Sequence, residues 1–63
     1  MTDGVFRTVG VAHQVGEKAA RALAEAIDGF VVAVEPIAER GGSFSCEFVV
    51  ADPSENLVRG RIA

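Results

Sequence analysis

Apolar residues recur at steps of three and four between residues 14 and 29, at Val15, Ala19, Ala22, Leu23, Ala26 and Ile27. That period lines them along one side of an α-helix. The face is mostly alanine, so a sheet can approach it closely while little side chain is buried. No favoured capping residue stands immediately before Val15, which predicts a frayed start over residues 14–17. Gly29 sits where a left-handed C-cap is expected and closes the segment.

Strand-like runs flank this helix. Residues 5–12 place Val5, Arg7, Val9 and Val11 on one side and Phe6, Thr8, Gly10 and Ala12 on the other, with Gly10 suited to a bulge. Residues 30–39 form the next strand, and Arg40-Gly41-Gly42-Ser43 is a hairpin signal, because paired glycines accept positive φ. Residues 43–51 return as a strand, and Asp52-Pro53-Ser54-Glu55-Asn56 is turn chemistry. Residues 57–62 read either as a short final strand with Arg59 and Arg61 on one side, or as a helical turn capped by Ser54.

A two-residue Gly41-Gly42 loop sets a register in which Arg40 faces Ser43, Ile37 faces Cys46, Glu35 faces Phe48 and Ala33 faces Val50. Phe44, Cys46, Phe48 and Val50 then share the helix-covered face with Val31, Ala33 and Ile37, and Phe48 is its anchor. The opposite face carries Val32, Val34, Val49 and Ala51 before turning polar at Ser45, Glu47 and Arg40. A solvated sheet face alternates apolar and polar residues, so this apolar half marks Val32, Val34, Val49 and Ala51 as interface candidates. Pro36 lacks a backbone donor and belongs at a sheet edge or a bulge. The expected fold is a single small α+β domain over residues 1–63, with order β-α-β-β and a possible last strand. One helix packs on one face of a three- to four-stranded, mostly antiparallel sheet, in two layers.

Size sharpens the interface expectation. A chain of 63 residues buries only roughly 60% of the surface its unfolded form exposes. Such domains are commonly reinforced by disulfides, a metal or oligomerisation. The single Cys46 cannot close an internal disulfide, and one His with one Cys falls short of a structural zinc set. Self-association or another protein partner is therefore the expected support. The formal charge of −3 argues against a nonspecific nucleic-acid surface. The sequence has no apolar run near the ~20 residues a spanning helix needs. Without basic and apolar leader regions, the expected location is cytoplasmic and no membrane partner is expected.

Candidate chemistry is sparse. His13 lies at the expected strand-to-helix junction, yet no nucleophile or orienting partner is nearby in sequence. Cys46 alternates with Phe44 and Phe48 and reads as a small core hydrophobe. Residues 10–18 superficially match a phosphate loop, but the glycine spacing is one residue too long, Glu17 precedes Lys18 and Ala19 replaces the magnesium-binding hydroxyl. Arg7, Arg40, Arg59 and Arg61 are further polar-contact candidates, and Glu17 and Arg21 are spaced for an i, i+4 pair.

The segment order and the apolar positions resemble those of dodecins, small β-α-β-β subunits that form hollow flavin-binding shells. In that family flavin stacks against a tryptophan of the second strand, and this chain has no tryptophan. The leading expectation is a non-enzymatic assembly or binding protein with no cofactor. A small-ligand carrier with sites between subunits, for flavin or another molecule, is the first alternative. A nucleic-acid-binding accessory protein using the four arginines is the second.

Overall fold

The apolar period that marks residues 14–29 does not begin at residue 14. Val5, Val9, Ala12, Gly16, Ala19, Leu23 and Ala26 continue it upstream at alternating steps of four and three, with no proline to interrupt it, although Gly10 and Gly16 lie within it. In the computed structural model, which describes the backbone of residues 2–62 and the side chains of residues 9–62, helix α1 runs from Thr2 to Ile27. The strand expected over residues 5–12 is therefore helical. The missing cap before Val15 was the telling signal, because the helix has no terminus there. At 1.5 Å per residue, its 26 residues span about 39 Å, nearly the full 44 Å length of the molecule.

Helix α1 ends in a Schellman arrangement. The Gly29 amide donates to the Ala24 carbonyl at 2.8 Å and the Asp28 amide to that of Glu25 at 3.3 Å. The left-handed residue is Asp28, at φ 57°, rather than the expected Gly29. Gly29 is required for another reason: a Cβ there would lie 2.0 Å from the Ala51 carbonyl oxygen.

Three strands follow, β1 (Phe30–Ala38), β2 (Phe44–Ala51) and β3 (Leu57–Ile62). They form an antiparallel meander with β2 in the centre. The fold is a small α+β domain with one helix on a three-stranded antiparallel sheet, and residues 57–62 take the strand alternative. Without a leading strand the order is α-β-β-β, which departs from the dodecin arrangement. Pro36 lies on β1, an edge strand, as its missing donor requires.

The hairpin differs from expectation by one residue. Its loop holds Arg40, Gly41 and Gly42 and is closed by the Glu39 amide donating to the Ser43 carbonyl at 2.9 Å. Both glycines adopt positive φ, at 80° and 78°. Phe48 therefore pairs with Val34, Cys46 with Pro36 and Ile37 with Ser45. A one-residue slip exchanges the two faces of a strand. Val34 accordingly packs against the core, while Ala33 and Ile37, expected beneath the helix, lie on the other face. A bulge between Val31 and Ala33 then allows Val31 to join Val34 on the core side.

The core comprises Ala20, Ala24, Phe48 and Val50, with Ala19, Leu23, Ile27, Val31, Val34 and Ile62 packed around them. The helix is thus rotated from the expected face. Ala20 and Ala24 point inward, while Val15, Ala22 and Ala26 are exposed. Small residues bring the layers together: a Cβ at Gly16 would meet the Cys46 Sγ at 2.0 Å. On the sheet, the Phe48 ring spreads over Gly60 of β3, where a Cβ would meet Cζ at 2.3 Å.

Two stability outcomes follow from these placements. Gly10 lies inside α1 with nothing within 4 Å of a Cβ added to it. Gly10→Ala is expected to stabilise the protein by roughly 0.5–1 kcal/mol in chemical denaturation; a loss of stability would contradict helix at that position. Phe48→Ala removes the largest buried side chain of the core cluster and is expected to cost about 3–5 kcal/mol. A thermal midpoint close to that of the wild type would contradict its burial.

Candidate functional site

The face of the sheet away from the helix is the candidate site, and its pattern follows from the register. Its rows run Phe30–Ala51–Leu57, Ala33–Val49–Arg59, Glu35–Glu47–Arg61 and Ile37–Ser45. The Phe30 end is mainly apolar, with Arg59 at its β3 margin, and the other end is mainly polar, with Ile37 at its β1 margin. Ala51 is only 2% exposed because Phe30 and Leu57 flank it, and each of these is itself 57% exposed. Val32, in the bulge between two core-facing residues, is 50% exposed. The exposed apolar area on this face is therefore contiguous rather than scattered.

Of the interface candidates, Val32 and Val49 lie on this face, Ala51 lies on it but beneath its neighbours, and Val34 belongs to the core. Phe30 and Leu57 are its most prominent members, and both were missed in the sequence. Phe30, the first residue of β1, shares the alternation of Val32 and Val34, so the pattern along the strand already put it on this face. Leu57 becomes visible only once residues 57–62 are known to pair with β2.

The polar half is organised by a three-strand contact. Ser45 Oγ donates to Glu39 Oε1 at 2.7 Å, and Arg61 Nε and Nη2 each donate to Ser45 Oγ at 3.2 Å. Arg61 Nη2 also pairs directly with Glu39 Oε1. The Ser45 hydroxyl and then the Arg61 guanidinium hold the Glu39 carboxyl below its usual range. The β2–β3 turn has a similar centre: Asp52 Oδ1 accepts from the amides of Asn56 at 2.8 Å and Ser54 at 2.9 Å. The Asn56 hydrogen bonds come first in lowering the Asp52 pKa.

The other polar candidates are dispersed. His13 lies within α1, not at a junction, with Nδ1 at 3.7 Å from Glu17 Oε2 on the exposed side. Glu17 also pairs with Arg21 at 2.5 Å, the expected i, i+4 contact. Arg40 is exposed in the hairpin loop, while Arg59 and Arg61 share the open sheet face. Arg7 lies in α1, and its side chain is outside the described residues. The phosphate-loop likeness of residues 10–18 falls inside α1, where backbone amides are used by the helix. Cys46 is buried against Gly16. A shallow depression between Gln14, Glu17, Lys18 and Arg21 is walled by the single helix. Among the described residues, no three His, Cys, Asp or Glu side chains gather as a metal site would require. No helix among the described residues is long and apolar enough to cross a membrane.

No family model, curated protein or solved structure matches this chain.

A carboxyl with a depressed folded pKa contributes stability above its unfolded value and loses it as pH falls through the folded one. Glu39 and Asp52 both have that sign. Stability is therefore expected to decline on acidification through and below the ordinary carboxylate range, between about pH 5 and pH 2. Urea denaturation of Glu39→Gln should show a shallower decline than the wild type. An identical acid profile would indicate that the Glu39 contacts do not persist in solution.

Proposed function

We propose that this protein is a non-enzymatic assembly or binding module that works through the open face of its sheet. The supporting observation is the contiguous apolar half of that face, where Phe30, Val32 and Leu57 remain exposed around Val49 and Ala51. Its energetic weight is considerable. At about 25 cal/mol per Å², covering even 300 Å² of apolar surface contributes on the order of 7 kcal/mol before association costs.

The chain also exposes more surface than a compact monomer of 6.6 kDa, 4582 Å² against about 3,900 Å² by the usual scaling, and the length of α1 contributes to that excess. The polar side chains that converge on this face among the described residues, Glu39, Ser45 and Arg61, satisfy one another.

Val32→Lys places a charge in the exposed patch without entering the core. The wild type is expected to run as an oligomer in native mass measurement. The variant should keep its circular dichroism and fall to a smaller mass. An oligomer whose mass is unchanged by both Val32→Lys and Leu57→Lys would place the assembly surface elsewhere. Val34→Lys is not an equivalent probe, because Val34 packs against the core.

A further inference from the structure

We propose that the occupant of the open face is a second copy of this chain, docked face to face about a two-fold axis running along β2. This rests on the reading of that face as an assembly surface, and adds the partner and the orientation. The observation that carries it is how charge is divided among the strands. On the open face β1 carries Glu35 and β3 carries Arg59, while Glu39 and Arg61 at the same two margins are already paired with each other across β2. One margin of the face is acidic and the other basic, with the apolar rows between Phe30 and Leu57 at one end.

A two-fold axis along the central strand lays β1 of each copy over β3 of the other. Glu35 then comes over the segment bearing the partner's Arg59 and the partner's Arg61. Phe30 comes over the partner's Leu57, and Val49 meets the partner's Val49. Opposite charges meet at both margins while the apolar rows are covered. On the same axis Glu47 meets the partner's Glu47, and Arg61, the cross-strand neighbour of each, supplies the counter-charge. An axis across the strands instead stacks β1 on β1 and β3 on β3, setting each charged margin against its own sign or against the apolar row. Self-complementarity about an axis is the requirement for a closed isologous dimer. Sheets that pack face to face keep their strands within about 30° of alignment and lie about 10 Å apart, which preserves these pairings.

Charge reversal separates this arrangement from other assemblies through the same face. Sedimentation of the wild type, Glu35→Arg, Arg59→Glu, the combined variant and Val32→Lys supplies the comparison. The wild type should dimerise, each single reversal should weaken the dimer about tenfold or more, and the combined variant should return to within about threefold of wild type. Val32→Lys should dissociate it. If Val32→Lys dissociates the dimer while the reversals leave it unchanged or weaken it additively, this docking is wrong and the open-face assembly stands. If Val32→Lys has no effect on a wild-type dimer, the open-face reading itself falls. A wild type that stays monomeric at about millimolar concentration overturns the second copy as occupant, and a folded monomer that binds another protein only when Val32 is intact leaves the broader reading in place.

Discussion

The close approach of α1 to β2 is the contact on which the rest of this small structure depends. The inner face of the helix offers Gly16, Ala20 and Ala24, so the sheet comes near enough that a Cβ at Gly16 would meet Cys46. A face built from such residues contributes little apolar volume of its own. The bulk must come from the sheet, and Phe48 with Val50 supplies it from the central strand. Phe48 in turn reaches sideways over Gly60, which ties β3 into a core that the helix covers mainly through β1 and β2. The absence of side chains at positions 16 and 60 thus allows two layers and a third strand to share one small core.

Sequence pattern revealed the parts of this fold governed by local chemistry. The glycine pair of the hairpin, the alternating strand 44–51 and the Asp52–Asn56 turn are all decided within a few residues, and each stands where the pattern placed it. The segment 5–12 was misread because valine-rich alternation and a helical stripe coincide there, and Gly10 lowers helix propensity by about 1 kcal/mol. Continuity of the stripe into residues 16–27 decided for helix, and the uncapped residue 14 carried that information. The hairpin register was a finer problem. Two- and three-residue loops both use positive-φ glycines, and the choice moves Val34 from the open face into the core. For the candidate site, the open-face placement of Val32, Val49 and Phe30 was legible from strand alternation, whereas that of Leu57 required the third strand.

The electrostatics of the open face are best understood as organisation rather than stabilisation. The Glu39–Ser45–Arg61 contact joins the β1 end, β2 and β3, yet its charged members are exposed, and exposed pairs contribute little. Its structural effect is to hold the hydroxyl of Ser45, buried on an otherwise uncovered face, fully satisfied. It also fixes the polar half of the face, so that the apolar half ends at a defined boundary instead of grading into mobile side chains.

The proposed association through the face, rather than through a strand edge, fits how the two edges are built. A free edge exposes unpaired amides and carbonyls and invites continuation of the sheet. On β1 that continuation is hindered by Pro36, which lacks a donor, and by the bulge between Val31 and Ala33, which breaks the spacing of the ladder. On β3 the strand is short and carries two arginines, which repel a copy of itself laid alongside. Neither edge is therefore a good template. The face has no comparable protection in its apolar half, where Phe30 and Leu57 stand exposed on either side of Ala51. In the proposed assembly the lean core gains more from covering that surface than from extending the sheet, and the charges on β1 and β3 give the proposed partner its orientation.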